Sequence, residues 1–431
     1  MGRKILISAL TVFLVLGVSG SVLAKSLNQL LPQMIEEHER LEAAEAREKV
    51  AKYRVREAEA GWYPTVDFTG DVAWEEVDRA GRSTTAEQEI RNIQRFRATQ
   101  LLYDFGMTNS LIDQNVALFE QSEYEQEFVR QTLIREGMSA YLNCVRYLRQ
   151  LKYAIQSEEN IVNQTGIEES LVERGAGLSS DVLQAKSSLA AAKARRVVVE
   201  GQLENAKARF NAIFGRQITD EEISEFSIPM VPVDEIPMTL EDAVLVALQE
   251  NPQLLMLNKN IEVAREQIDV AESRYYPRFN LFGEYWRQEN DGGNDGVEFE
   301  TRAGAEVNWN IFNGGGDIAA VKAAEWAKEN AIFTLRDTHR NIGEQVRVSW
   351  TNLLTAQARA VWFSNQANIE NEFLGLARKE RKMGNRSLLD VLNAEVNYIN
   401  ALSGAIGAEV DKTIAAYNLL YAMGKLDLDS F

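Results

Sequence analysis

Cysteine and histidine are scarce in this chain of 431 residues, which has one cysteine, Cys144, and two histidines, His38 and His339. A single thiol cannot close an internal disulfide, and we expect Cys144 to be a small buried apolar side chain within a helix. The histidines lie in unrelated helical stretches, so neither a zinc site nor a nucleophile triad has enough suitable residues. The sequence therefore predicts no catalytic residue, no metal and no cofactor, and we expect the protein not to be an enzyme.

Proline is absent from two long spans, residues 65–228 and 278–431. An interior proline costs a helix about 3 kcal/mol and removes a hydrogen bond from a sheet, so both spans are free to form long uninterrupted elements. Three of the seven prolines fall within residues 226–238. This cluster predicts a linker between two halves of the chain.

Long hydrophobic runs are missing except near the N-terminus, where residues 5–20 follow Arg3 and Lys4. Together with the small-residue site Val22-Leu23-Ala24, this run has the pattern of a secretory signal peptide, and we expect the mature chain to start at Lys25. No cysteine follows that site to carry a lipid anchor. No other segment offers the roughly 18 apolar residues of a spanning helix, so membrane insertion of the mature chain has to use strands.

Positive charge is in deficit. The chain has 64 acidic against 46 basic residues, a formal net charge of −18 at pH 7. Such a surface repels polyanions, which argues against nucleic acid as a partner.

An internal duplication organises the rest of the chain. Residues 239–277 align without gaps on residues 26–64. Further along, the segment Leu102-Tyr103-Asp104-Phe105-Gly106 pairs with Ile311-Phe312-Asn313-Gly314-Gly315, and Gly215 pairs with Gly424. Two long copies are not a solenoid of short repeats.

A long amphipathic helix is predicted after Gly106, over about 68 residues to Arg174, because apolar residues recur at three- and four-residue spacing. We expect a break near Thr165-Gly166. Residues 316–383 have the same pattern. At about 1.5 Å per residue each helix would reach roughly 100 Å, a length that indicates coiled-coil packing.

Strand signals have a different period. Residues 297–311 alternate strictly between an apolar and a polar face. This segment is too polar to be buried on both sides, and it is long enough to cross a bilayer, where about 9 to 11 tilted residues suffice. Further strands are predicted at residues 66–75 and 96–103 and from Phe279 onward. The expected hairpin tips are the polar segments 78–90 and 289–296.

Four strands cannot close a barrel, and lipid does not tolerate an open sheet edge, so the chain is predicted to oligomerise. Two chains would give a filled barrel of eight strands, and three would give twelve strands with an aqueous lumen. The polar strand face favours three. Aromatic residues at the strand ends fit an interfacial girdle, with simple packing at the junction as the alternative: Trp62, Tyr63, Tyr103, Tyr275, Tyr276 and Phe312.

The duplicated motifs carry a family resemblance. They are the steps Trp62-Tyr63-Pro64 and Tyr275-Tyr276-Pro277, the paired Leu102 and Ile311 segments, and a repeated Gly-x5-Asp-Val-Leu-x-Ala that begins at Gly175 and Gly384. Over essentially the whole mature sequence the chain resembles the TolC-type outer-membrane efflux proteins, also called outer membrane factors.

The resemblance implies a mixed fold: a homotrimer whose four strands per chain close a twelve-stranded transmembrane β-barrel, continued by a long α-helical coiled-coil barrel in the periplasm. It implies a passive exit duct for drug efflux or type I secretion in the outer-membrane lipid. The implied partners are a periplasmic adaptor (membrane fusion protein) and an inner-membrane ABC or proton-driven pump. The sequence leaves the cargo open between drug, metal and polypeptide.

The resulting division of the chain is a signal peptide (1–24), an opening helix (25–62), a membrane hairpin (63–106), a helical hairpin (107–215), a linker (216–238), a second opening helix (239–275), a second membrane hairpin (276–315), a second helical hairpin (316–424) and a C-terminal tail (425–431). The first opening helix has Glu37-His38-Glu39 where the second has Glu250-Asn251-Pro252, so we expect the two to bend differently. Six residues are predicted strand-to-helix hinges: Pro64, Gly106, Pro277, Gly314, Gly315 and Gly316. The glycine triplet lacks the Lys-Ser/Thr continuation of a phosphate-binding loop, so backbone freedom accounts for it.

The resemblance places the two helical-hairpin loops at the periplasmic tip. Gly175 and Gly384 suit a left-handed residue that ends a helix, and Ser387 with Asp390 forms a capping pattern. Capping alone is a sufficient role for Asp181 and Asp390. The functional interpretation adds a carboxylate ring at a narrowing mouth, latched by Arg386 across the hairpins. The predicted gate residues are Asp181, Arg386, Asp390 and Asn393. The predicted adaptor-docking residues are Gly175, Gly177, Leu178, Gly384, Asn385, Ser387 and Leu388.

Two other classes of protein compete. A soluble periplasmic coiled-coil adaptor of an export complex would share the signal peptide and the helical hairpins, but it would not need the alternating strand or the duplication. A periplasmic hydrolase has only scattered carboxylates in its favour.

Overall fold

The computed structural model describes residues 27–77, 87–293 and 296–430. The expected signal peptide (1–24) and residues 78–86 of the first expected hairpin tip lie outside these ranges. Within them, none of the helices is both long enough and apolar enough to cross a membrane.

Each repeat contains the same series of elements. The first has α1 (Leu27–Glu37), α2 (Glu39–Glu59), β1 (Thr65–Val77), β2 (Glu87–Tyr103), α3 (Met107–Glu173) and α4 (Ser179–Phe214), followed by the short α5 (Asp220–Ser224). The second has α6 (Leu240–Glu250), α7 (Pro252–Glu272), β3 (Arg278–Glu289), β4 (Val297–Asn308), α8 (Gly316–Lys382) and α9 (Leu388–Met423). Short 3-10 helices precede β1 and β3. Because α3 and α8 both have 67 residues and α4 and α9 both have 36, the duplication extends to element lengths.

The four strands form one antiparallel sheet in the order β1-β2-β3-β4. The ladder aligns Phe68 with Phe96, Phe96 with Tyr285, and Tyr285 with Thr301. These residues share one face, whose large apolar side chains are exposed in the single chain: Val66, Phe68, Val72, Trp74, Ile90, Phe96, Leu281, Tyr285, Phe299 and Val307. The predicted number of strands is therefore confirmed, as is their alternation.

Two strand boundaries differ from the prediction. β4 ends at Asn308 and does not reach Ile311, because its partner β3 begins at Arg278, directly after Pro277, and proline has no N–H to extend the ladder. β2 begins at Glu87, so it takes up the end of the expected tip 78–90 and is far longer than the predicted strand 96–103.

The opposite face of the sheet is polar and ion-paired. Arg95 lies 3.2 Å from the buried Glu284, and Arg97 lies 2.6 Å from Glu306. Trp286 lies between the guanidinium groups of Arg95 and Arg302. These pairs join β2, β3 and β4 across the sheet, so charged residues here stabilise the sheet without an apolar core.

The long helix α3 is continuous through Thr165-Gly166, where a break was expected. Thr165 is buried, and its hydroxyl donates to the carbonyl of Ile161 at 2.8 Å, a contact that a threonine makes inside a helix. The sequence analysis overestimated the tendency of glycine to end a helix, since α3 is packed between α4 and α9.

The main hydrophobic core lies halfway along the helices, where α1 and the linker pack against α3, α4 and α9. Tyr141 stacks on Phe226 of the linker at 4.2 Å, and its hydroxyl donates to the Ser227 carbonyl at 3.0 Å. Tyr417 donates likewise to the Met230 carbonyl at 3.2 Å. Cys144 is fully buried in this core, as predicted. The linker therefore packs against one face of the helices, and we call this packed linker the girdle.

Both opening helices break at the same step. His38 and Asn251 have nearly the same extended backbone, and each side chain accepts a hydrogen bond from the N–H two residues on. The two breaks are capped in the same way, since the imidazole Nδ1 of His38 caps α2 as the amide oxygen of Asn251 caps α7, and a difference in bend angle stays a prediction.

Candidate functional site

The two helical hairpins turn through loops of the same design, which we call the tip loops (residues 174–178 and 383–387). Gly175 and Gly384 have φ values of 74° and 77°. Each follows a long helix, and the N–H after each glycine donates back to a carbonyl of the last turn, from Ala176 to Leu171 and from Asn385 to Glu380. This closure needs a left-handed residue, so glycine is required at both positions, as the sequence predicted.

The tip loops differ in capping and in exposure. The Ser387 hydroxyl accepts from the Asp390 N–H at 3.2 Å, whereas Leu178 caps α4 with no side-chain hydrogen bond. Leu178 is 66% exposed, whereas Leu388, one residue past the equivalent position in the second loop, is 2% exposed, in a small cluster with Ile161, Ala185, Ala192 and Leu392. Of the two leucines predicted to dock an adaptor, only Leu178 is accessible in the single chain.

The remaining predicted docking residues lie at the ends of the hairpins. Gly384, Asn385 and Ser387 are exposed, as is Gly175. Gly177 is half-buried, and a Cβ there would lie 2.8 Å from the Val172 backbone nitrogen, which gives this glycine a packing role as well.

A buried ion pair joins the two hairpins just above the tips. The terminal nitrogen of Arg381 on α8 lies 3.1 Å from the Glu168 carboxylate on α3 and 3.6 Å from Asp181 on α4. Glu168 is 2% exposed. Because a carboxylate buried without a partner is costly, Arg381 holds hairpin 1 and hairpin 2 in one relative position.

A second layer follows along the helices. Arg378 pairs with the buried Glu395 of α9, which also accepts from the Asn160 amide of α3 at 2.6 Å. The sequence analysis predicted neither the pair of Arg381 with Glu168 nor the pair of Arg378 with Glu395. The signal was there, since Glu168 and Glu395 each occupy an apolar stripe, one after Ile161 and the other after Val391, where a carboxylate needs a partner.

The predicted gate residues are not gathered within one chain. Arg386, in the loop between α8 and α9, lies 2.7 Å from Glu380 and over the Phe373 ring, both on α8. Asp390 and Asn393 are exposed on α9, and Asp181 is half-buried beside Arg381. Within the chain it is Arg381, not Arg386, that links the hairpins, while a bridge from Arg386 to a neighbouring subunit stays a prediction.

The predicted hinges lie where the strands meet the long helices. Gly106 and Gly315 are left-handed, with φ values of 94° and 86°, and each immediately precedes its helix. The buried Asp104 accepts from both the N–H and the hydroxyl of Thr108, at 2.9 and 2.5 Å. In the second repeat, Asn313 accepts from the Asp317 N–H. The remaining predicted hinge residues flank these caps: Pro64 and Pro277 just before β1 and β3, and Gly314 and Gly316 on either side of Gly315.

No cluster of three or more His, Cys, Asp or Glu side chains suited to a metal ion occurs in the described parts of the chain. An amphipathic sheet that passes through capped hinges into two long, ion-paired helical hairpins defines an export-channel subunit.

The family model for outer membrane efflux proteins matches residues 30–216 and 244–425, and the chain belongs to this family. It is an exit duct of the outer membrane, with its helical part in the periplasm. The unmatched interval between the two segments contains most of the linker.

Curated relatives are similar over nearly the whole chain. The outer membrane efflux protein BepC of Brucella suis is 22% identical over 416 residues, covering 95% of this chain and 87% of BepC. The outer membrane protein TolC of Escherichia coli is 22% identical over 430 residues, covering 95% of this chain and 84% of TolC. Among solved structures, the outer-membrane channel OprN has a TM-score of 0.80 at 21% identity, covering 92% of this chain and 89% of OprN.

Proposed function

We propose that three copies of this chain form one passive duct, with a twelve-stranded barrel in the outer membrane and a helical tunnel across the periplasm. The observation that carries the proposal is the single sheet with an exposed apolar face and with β1 and β4 as free edges. Lipid leaves no partner for edge N–H and C=O groups, so these edges have to pair with other copies of the chain. Twelve strands leave room for an aqueous lumen.

The helical part supports the same assembly. Below the girdle, four helices pack side by side in the order α4, α3, α9, α8, so α4 and α8 are edges in the single chain. Large apolar side chains are exposed on this part of α8, among them Leu354, Trp362 and Ile369, and α4 exposes Leu183, Val197 and Val198. An exposed apolar stripe of this extent marks a protein interface. In the proposed trimer, α8 of one copy packs on α4 of the next.

The tip loops are proposed to dock a periplasmic adaptor that connects the duct to an inner-membrane ABC or proton-driven pump. Exposed Leu178 and the glycine-shaped turns beside it provide a small apolar surface for such a contact. Among the relatives, AprF of Pseudomonas aeruginosa is named an alkaline protease secretion protein and TtgC of Pseudomonas putida a toluene efflux pump outer membrane protein. The cargo of this chain is proposed to be either a secreted protein or a small molecule, and the pump selects it.

The resting tip is proposed to be closed. Three copies of Asp181 and Asp390 would ring the mouth, with Arg386 and Asn393 beside them and Arg381 holding each pair of hairpins together. Opening then requires hairpin 2 to move relative to hairpin 1, which breaks the pair between Arg381 and Glu168.

Assembly and conduction test the proposal together. The detergent-solubilised protein should be trimeric by light scattering, and it should form ion-conducting channels in planar bilayers. Trp362→Glu, on the exposed stripe of α8, should reduce the trimer fraction relative to the wild type. If a carbonate wash releases the protein from membranes and the released protein is monomeric, the proposed duct is contradicted and the soluble periplasmic adaptor is favoured.

A further inference from the structure

Two cavities adjoin on one face of the helical layer at the level of the girdle. One, of about 570 Å³, lies between α3, α4 and α9, and the other, of about 420 Å³, lies between α3, α8 and α9. They share Arg135, Ile414 and Asn418. We call the two together the Arg135 groove.

Arg135 has no acidic partner. No carboxylate lies within the 4.0 Å ion-pair distance of its guanidinium in the described parts of the chain, although acidic residues predominate in the sequence. Its Nε is buried and makes no hydrogen bond. Because this Nε is sealed from the groove, a ligand would bind the guanidinium through its two terminal nitrogens.

The guanidinium of Arg135 is held in position by contacts within the chain, before any ligand binds. It stacks on the Tyr421 ring, 4.3 Å from the centroid. The Thr132 hydroxyl donates its hydrogen to the Phe128 carbonyl at 2.8 Å. The Tyr421 hydroxyl, 3.0 Å from the Thr132 oxygen, therefore donates its own hydrogen to that oxygen. That hydrogen bond holds the ring, and the ring holds the guanidinium.

The carboxylates around the groove are already taken up by other arginines. Each is held by two: Glu136 by Arg40 and Arg209, and Asp411 by Arg146 and Arg359. The charged residues that line the groove, counted with their ion-pair partners, are therefore five arginines against two carboxylates. In a chain with a formal charge of −18, this is a local reversal of sign.

The uncharged part of the lining is rich in amides. Asn143, Gln202 and Asn205 line the first cavity, Asn352 lines the second, and Asn418 lines both. Side-chain amides both donate and accept hydrogen bonds, so they tolerate ligands of different shape. The surplus charge at Arg135 nevertheless sets the sign of what binds.

We propose that the Arg135 groove is a binding site for small anions, which holds carboxylate or phosphate groups through bidentate hydrogen bonds from Arg135. The inference deepens the proposed function and rests on it for the place of the site. The girdle covers the opposite face of the helical layer, where Tyr141 and Tyr417 are buried, so in the trimer the groove faces the tunnel. The acidic chain as a whole repels polyanions, whereas small anionic cargo would meet three such grooves.

The test is calorimetric titration of the detergent-solubilised trimer with inorganic phosphate and, separately, with citrate. The two probes distinguish phosphate from carboxylate recognition. The wild type should bind at least one of them saturably. Arg135→Gln should weaken that binding about tenfold or more, because a charge-assisted bidentate contact is lost. Arg340→Gln removes the same charge at an exposed position of α8 outside the groove, and it should stay within about twofold of the wild type.

A second variant covers the case in which Arg135→Gln fails to assemble. Tyr421→Leu keeps every charge but removes the stacking ring, and it should also weaken binding. A wild type that binds neither probe overturns the inference, as does an assembled Arg135→Gln trimer that binds as tightly as Arg340→Gln. Titration needs no ion flow. A trimer that binds anions but does not conduct therefore contradicts the duct alone, and a conducting trimer that binds neither probe contradicts this site alone.

Discussion

Arg381 and Glu168 lie 213 positions apart in the sequence, and their side chains meet at 3.1 Å between the two helical hairpins. Neither belongs to the repeated motifs. The packing of the two repeats side by side brings these two positions together, and an ion pair forms there because one residue is arginine and the other is glutamate.

We expect Arg381→Ala to raise the resting conductance of the channel in planar bilayers. Without Arg381 the buried Glu168 carboxylate loses its charged partner and keeps the Gln164 amide, a change that typically costs about 3 to 5 kcal/mol and loosens the contact between the hairpins beside the tips. Arg340→Ala, an exposed arginine on the same helix, should leave the conductance unchanged. Equal resting conductance in the two variants would remove Arg381 from the latch.

Arg386→Glu tests the predicted latch between subunits separately. Within the chain the Arg386 side chain contacts Glu380 and Phe373 of its own hairpin, so an increase in leak current here would indicate a bridge to a neighbouring copy. Resting conductance equal to that of the wild type would exclude that bridge and leave the latch to Arg381.

The two tip leucines should respond in opposite ways to one substitution. Leu178→Asp changes an exposed side chain, so the trimer should assemble and unfold as the wild type does while binding of the adaptor in a pull-down falls. Leu388→Asp buries a carboxylate in an apolar cluster, so the heat resistance of the trimer should fall as well. Undiminished adaptor binding by Leu178→Asp would show that this loop is not the docking surface.

Alanine at two equivalent glycines should have unequal costs. Gly215 and Gly424 end α4 and α9 with φ values of 67° and 76°, so alanine at either position carries the left-handed penalty of about 1 kcal/mol. At Gly215 a Cβ meets nothing within 4 Å, but at Gly424 it would lie 2.6 Å from the Asn251 Cα. Thermal unfolding should therefore show a clearly larger loss for Gly424→Ala. Equal losses would mean that the junction of α9 with α7 is looser than its geometry implies.

Cys144 should be chemically silent in the folded protein. Burial raises the pKa of its thiol to about 12, whereas a free thiol ionises near pH 8.5, so at about pH 9 the folded chain keeps a neutral thiol. Ellman's reagent should react only after denaturation. The stability that burial of the neutral thiol contributes is present below about pH 8.5 and is lost as pH rises towards the folded value. Rapid reaction of the native trimer would contradict this.

Period and proline placement were sufficient to predict the sheet and the long helices. Strict alternation located β4, and apolar spacing within a proline-free stretch predicted the extent of α3, although not its continuity through Gly166. The end of β4 was not predictable from its own residues, since it depends on where Pro277 stops the partner strand. An element's interior is set by local pattern, but its end is set by what lies beside it.

The site was less predictable because its key contacts join residues from both repeats. Gly175 and Gly384 could be assigned from the turn chemistry of a helix end, which is local. The partnership of Arg381 with Glu168 could not, because helix surfaces carry many arginines, and only the packing of α8 beside the first hairpin selects one of them. A buried glutamate on an apolar stripe announces that a partner exists without identifying it.

The equal lengths of the paired helices impose a rule on how this protein can change. Since α3 matches α8 and α4 matches α9 residue for residue, both tips end at the same depth, as one contact surface requires. Seven residues added to each helix of one hairpin would lower that tip by about 10 Å relative to the other. We therefore expect insertions and deletions in the hairpins to be tolerated only as matched sets in both repeats.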